Sequence, residues 1–183
     1  MTSRQIAASP PDDLLPALKL AVGDVVVYAS HGIGCVEARP ACRGDLPETV
    51  VLGFESGLKV TLPVSRARRA LRSLSGELEL EDVRRTLCAD VAPAGESWLR
   101  RFRTMQEKVS AGLVTGLAEV VRDGVQQERR LAARAGGGRA TAPSERHLYL
   151  QARKLLAAEI AHARGIEPED ADVWIVEQIG EQA

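Results

Sequence analysis

Much that would assign a familiar chemistry is missing from this sequence. The 183 residues hold three cysteines, Cys35, Cys42 and Cys88, odd in number and scattered, which is not a disulfide framework and fits a reducing compartment. His31 with Cys35 and Cys42 lacks further ligands at zinc spacing, so neither a metal nor any other cofactor is expected. No apolar run approaches the ~20 residues of a membrane span, and the opening MTSRQIAASPPDD has no signal-peptide core or cleavage pattern. A cytoplasmic protein is therefore expected. Gly32-Ile33-Gly34 lacks the third glycine and the helix start of a dinucleotide fingerprint. Ser30 beside His31 makes no triad, because nucleophile and base must converge with a third orienting group. Glu81-Asp82 and Glu169-Asp170 read as exposed helix-start charges that favour the macrodipole. The chain is not expected to be an enzyme.

Apolar residues make up 45%, enough for one ordinary domain or two small ones with real cores. The formal net charge of −1 conceals an uneven distribution. Residues 96–164 carry thirteen Lys/Arg against seven Asp/Glu, whereas residues 165–183 carry six acids and no Lys/Arg. A basic middle of this kind points to a polyanion-facing surface on part of the chain.

Periodicity divides the sequence into a strand-rich and a helix-rich half. Residues 1–17 are rich in Ser, Pro, Ala and Asp without periodicity and read as a mobile tail. Val25–Tyr28 and Cys35–Ala38, separated by the turn signal His31-Gly32-Ile33-Gly34, predict a hairpin. A loop with Pro40, Gly44 and Pro47 leads to a strand at Thr49–Phe54, and Ser56-Gly57 turns the chain into another at Leu58–Leu62. In that last strand Leu58, Val60 and Leu62 share one face while Lys59 and Thr61 point the other way. Residues 18–64 thus describe a small, strongly bent antiparallel sheet or half-open barrel. The arginine-rich stretch 65–76 is expected as a linker, and residues 77–183 as an all-α bundle; the fold class is α+β.

In the second half, Leu78, Leu80, Val83 and Leu87 mark a helix over Glu77–Cys88, which the breaker Ala92-Pro93-Ala94-Gly95 follows. Ser97 is a plausible N-cap for a helix whose stripe is Trp98, Phe102, Met105 and Val109. Leu113, Leu117, Val120, Val121 and Val125 predict a further helix running into a basic segment, before a flexible loop at Gly136–Gly138. A long helix starts near Thr141 or Ala142, accepts Pro143 in its first turn, buries Leu148, Ala152, Leu155, Leu156 and Ile160, and ends at Gly165. Pro168 opens a last acidic helix that Ile175 and Ile179 dock, with Trp174 structural.

Aromatic residues are scarce, two each of Phe, Tyr and Trp. It is thus informative that Trp98 lies in the run ESWLRRFR beside Arg100, Arg101 and Arg103. Burying it in a core would draw that cluster inward. Minor-groove proteins insert an apolar side chain at a base step while nearby cations hold the phosphates, accepting an unstacking cost of a few kcal/mol. The competing reading is a bundle anchor with the arginines as a solvated face. Arg146 and Arg153 on the later helix are weaker candidates for phosphate contact. No helix carries Asn, Gln and Arg placed for base edges, so sequence readout is not expected.

Val22-Gly23-Asp24-Val25-Val26-Val27-Tyr28 with His31-Gly32-Ile33-Gly34, then Trp98-Leu99-Arg100-Arg101-Phe102, then Leu117-Ala118-Glu119-Val120-Val121-Arg122-Asp123 and Ala152–Glu159, stand in the order and spacing of the CarD family of bacterial transcription regulators, which the chain resembles over residues 19–180. The resemblance implies a Tudor-like N-terminal domain that binds the RNA polymerase β subunit by strand pairing, and a helical C-terminal domain that contacts promoter DNA. It implies that Trp98 enters the minor groove at the upstream bubble edge, and it makes Lys59 and Thr61 candidate polymerase contacts. Thr61 stands where well-known members carry an arginine, so either the partner surface differs or Lys59 compensates. A monomer, associated with the nucleoid through its partners, is expected. The alternative is a divergent polymerase- or protein-interaction module in which Trp98 is structural and DNA contact incidental.

Overall fold

The computed structural model describes residues 18–29, 31–40, 47–90, 97–133 and 141–180. The expected tail at 1–17, the breaker at Ala92–Gly95, the glycine loop at Gly136–Gly138, Cys42 and most of the Pro40–Pro47 loop lie outside these residues.

β-branched residues at alternating positions build the first half. Strands β1 (Val25–Tyr28), β2 (Gly32–Ala38), β3 (Thr49–Phe54) and β4 (Lys59–Pro63) form an antiparallel meander. After helix α1 (Val64–Ala70), the two-residue strand β5 (Leu71–Arg72) returns to pair with β1, giving the order β4-β3-β2-β1-β5. A register shift between Val36 and Ala38 helps the sheet curl into a Tudor-like half-barrel. Val26, Val36, Val50, Leu52 and Leu62 fill its concave side, and Val64, Ala67 and Leu71 from α1 and β5 close it.

Two expectations change here. Gly32–Gly34 belongs to β2 and not to the turn: pairing runs from Val25 with Cys35 to Tyr28 with Gly32, so the connection is only three residues. The stretch expected as a linker contains α1 and β5. Its arginines Arg66, Arg68 and Arg69 are exposed while Val64 and Ala67 face the sheet, so a short amphipathic turn hides behind the charge.

The second half packs α2 (Glu77–Leu87), α3 (Trp98–Ala111), α4 (Val114–Ala133), α5 (Pro143–Arg164) and α6 (Pro168–Gly180) around a separate core. Val83, Leu87, Leu117, Val121, Leu156, Ile160 and Ile175, all on the periodic apolar stripes, are nearly or fully buried in it. Gly112 and Gly165, both left-handed with φ of 63° and 66°, end α3 and α5. Leu78, expected in the α2 stripe, is 84% exposed, because Leu80 with Val83 and Leu87 forms the face that docks the helix. Leu113 is likewise exposed and Val114 takes its place, the break at Gly112 having rotated the start of α4. Trp174 packs partly buried against this core with the Arg164 guanidinium 3.9 Å from its ring centre.

Candidate nucleic-acid interface

Helix α3 begins where the sequence places it. Ser97 is the N-cap residue; its side chain makes no cap bond, but its carbonyl accepts the backbone N–H of Arg100 and Arg101 at 3.1 Å each. No acid occupies the first turn of the helix itself. Trp98 sits in that turn and is 46% exposed, with Leu99 beside it at 50%. The indole stacks on Phe102, one turn on, with ring centroids 5.5 Å apart and planes inclined by 15°. Phe102 in turn precedes Met105, which touches the helical core, and Val109, which is buried in it. Trp98 therefore heads the apolar stripe without being enclosed by it.

The cations separate by role. Arg100 and Arg103 are exposed on α3. Arg101 is half-buried and pairs with Glu145 at 3.5 Å. Glu145 lies in the first turn of α5, so this pair brings the starts of α3 and α5 together and carries exposed Arg146 to the same end of the bundle. Arg153 is engaged within the bundle. Its Nε and Nη2 donate to the two carboxylate oxygens of Asp172 at 2.5 and 2.6 Å, and its Nη1 to the Tyr149 hydroxyl at 3.0 Å. The Asp172 bond raises its pKa further above the ordinary arginine value. A guanidinium whose fork already holds a carboxylate joins α5 to α6, so a phosphate there would compete with Asp172. Burial raises the Tyr149 hydroxyl above its ordinary range, against the opposing effect of the Arg153 hydrogen bond.

Leu99 is a surface feature that sequence reasoning missed; the available signal was that it falls off the Trp98, Phe102, Met105, Val109 stripe. His31, considered above for metal binding, packs instead near Tyr28 and Phe54, with ring centroids 5.2 and 5.6 Å away. A cavity of about 280 Å³ between α2, α4 and α6 is lined by Leu87, Cys88, Asp90, Gln126, Arg129 and Ile179, none of them a candidate contact residue.

Lys59 and Thr61 lie elsewhere, on β4, an edge of the sheet. Both are exposed, and Lys59 Nζ pairs with Glu37 Oε2 at 2.7 Å. The register settles where their backbones point. Val64 N–H donates to the Glu48 carbonyl and Phe54 N–H to the Leu58 carbonyl, so the hydrogen-bonded pairs alternate through Val50 with Leu62 and Leu52 with Val60. The pairs between them, Val51 with Thr61 and Gly53 with Lys59, are the non-bonded ones. The N–H and C=O of Lys59 and Thr61 therefore face away from β3, along an edge with which no described strand pairs. Pro63, the next outward position, has no N–H to offer.

Two family models match this chain: CarD-like/TRCF RID domain over residues 20–75, and CarD, C-terminal domain over residues 82–176. The chain belongs to the CarD family. The pair of domains suggests an RNA polymerase-interacting transcription factor, and CarD-family members are transcription regulators, not enzymes. In the CarD frame the β4 edge falls within the first match, whereas Trp98, the arginines of α3 and Arg146 fall within the second. Among the described residues no helix is long and apolar enough to cross a membrane.

Proposed function

We propose that this CarD-family chain docks on the RNA polymerase β subunit through the open edge of β4 and stabilises the promoter open complex by wedging Trp98 into the minor groove at the upstream edge of the bubble. The observation that carries the reading is the half-exposed indole at the first turn of α3, flanked by exposed Arg100 and Arg103 and supported from behind by Phe102. An enclosed tryptophan would have favoured the core-anchor alternative; this one has a face available to a base step.

The mechanism is linkage. A factor shifts closed toward open complex only by its differential affinity for the two, and a flat wedge that fits a distorted fork better than intact duplex supplies that difference. A tenfold preference is worth about 1.4 kcal/mol and lengthens the open state accordingly. Arg100, Arg103 and Arg146 neutralise phosphates without reading sequence, while Arg101 acts from its pairing with Glu145. Location on the promoter comes from the polymerase contact, where main-chain bonds from Lys59 and Thr61 extend the sheet onto a partner strand.

Proline substitution at neighbouring positions tests the docking half. Thr61→Pro removes an outward N–H, and its ring asks of Val60 the extended backbone it already has, so the sheet stays folded. Val60→Pro removes an inward N–H and breaks the bond to β3. Capture of the polymerase β subunit should fall at least tenfold with Thr61→Pro while the fold is kept; undiminished capture by the folded variant rules out strand addition at β4.

A further inference from the structure

The two halves have separate apolar cores, yet a polar cluster joins them at a buried point. Glu159 on α5 is 1% exposed, a carboxylate in the run LLAAEIA where the surrounding residues are apolar. Arg72, at the end of β5, donates to both of its oxygens, Nη1 to Oε1 at 2.5 Å and Nη2 to Oε2 at 2.7 Å. Ser75 completes the set, its backbone N–H and its hydroxyl donating to Oε1 at 3.1 and 2.6 Å. The same guanidinium also reaches the end of the Trp98 helix: Nε and Nη2 donate to the Gly112 carbonyl at 3.1 and 2.7 Å. One side chain of the sheet half thus holds α5 and the α3 C-cap simultaneously.

Apolar contact flanks the cluster. A Cβ on Gly112 would stand 2.5 Å from Ala29, and one on Gly32 3.0 Å from the Leu155 side chain, so the backbone of each half lies against the other. Burying an ion pair is weak evidence for stability, since an apolar pair of similar volume often does as well. What a planar fork adds is direction: it accepts one arrangement of its carboxylate and carbonyl partners and tolerates little sliding.

We propose that Arg72, with Glu159, Ser75 and the Gly112 carbonyl, is a positioning device that fixes the sheet half and the Trp98 helix in one orientation, so that docking at β4 determines where the indole meets DNA. The functional part of this inference rests on the reading proposed above; the structural part stands apart from it. Apolar contact alone would leave the seam free to slide. The fork is what makes the molecule a ruler between polymerase and DNA.

Residual dipolar couplings test the device on the full chain. The two halves of the wild type should share a single alignment tensor. In the double replacement Arg72→Leu with Glu159→Leu, which strands no buried charge, each half should keep its own couplings internally while the two tensors diverge. Should that variant fail to fold, Arg72→Lys takes its place, because a lysine keeps the charge but cannot span Glu159 and Gly112 as a fork. Two tensors in the wild type, or one shared tensor in the folded variant, overturns the proposal. The functional arm measures open-complex lifetime with the same proteins: the variant should hold polymerase as the wild type does and lose more than half of the lifetime extension. Full extension from a variant with divergent tensors overturns the positioning role. A wild type without effect on lifetime defeats the proposed function instead, and the tensors still decide the device.

Discussion

Two helix-ending glycines offer a controlled experiment on the seam. Gly112 and Gly165 both cap helices in the left-handed region, with φ of 63° and 66°. They differ in surroundings: a Cβ at Gly165 meets nothing within 4 Å, whereas one at Gly112 meets the Cα and Cβ of Ala29 at 2.5 Å. Replacing either by Ala carries the left-handed penalty of roughly 1–2 kcal/mol, offset by about 0.4–1 kcal/mol from the stiffer unfolded chain. Gly165→Ala should therefore cost between about zero and 1.6 kcal/mol. Gly112→Ala adds an overpacking cost of about 1–3 kcal/mol, because the obstructing atoms belong to backbone and a side-chain stub that cannot rotate away. The difference between the variants isolates the clash. At about 2–4 °C per kcal/mol for a chain of this size, Gly112→Ala should melt several degrees below Gly165→Ala. Thermal melts followed separately by sheet and helix amide signals would show it, since two cores need not unfold together. Equal costs at the two positions would refute the close approach of α3 to the β1–β2 connection.

Further outcomes follow from burial and charge. Leu156→Ala should destabilise the helical half by about 2–5 kcal/mol in urea unfolding, whereas Leu78→Ala, at an exposed site, should change it by under about 0.5 kcal/mol. Because the folded-state pKa of Tyr149 is raised above its unfolded value, the stability it contributes is complete below the ordinary tyrosine pKa of about 10 and is lost as pH rises through the raised value. Tyr149→Phe should therefore flatten the fall of the urea midpoint above about pH 10, at the expense of the Arg153 hydrogen bond; an unchanged slope would show that the hydroxyl does not titrate with unfolding.

The parts of the fold legible in the sequence are those with a repeated local signal. Val25–Tyr28 and Thr49–Phe54 announce themselves by β-branched residues, and α5 by apolar residues three and four apart between Pro143 and Gly165. β5 was not legible: two residues carry no period, and their partners Val27 and Tyr28 lie far back along the chain. α1 was obscured because three arginines dominate a seven-residue helix whose buried contribution is mainly Val64 and Ala67. At the candidate site, the proximity of Trp98 to the arginines was legible from adjacency and its placement in the first turn from Ser97. The partners of Arg153 and Arg72 were not, since a guanidinium looks the same in sequence whether it faces solvent, Asp172 or a buried Glu159. Pairing with residues 19 and 87 positions away, which no local pattern announces, is what engages these two side chains.

The most direct test of the central claim is the lifetime of the promoter open complex with cognate RNA polymerase, measured without factor, with the wild-type chain and with Trp98→Ala. Because the indole is half-exposed at the end of α3, its removal is expected to leave the fold and the β4 edge intact, which a melt and a polymerase capture assay check. The account predicts that the wild type prolongs the lifetime and the folded, polymerase-bound variant does not. Equal prolongation by both proteins would contradict it and return Trp98 to a structural role.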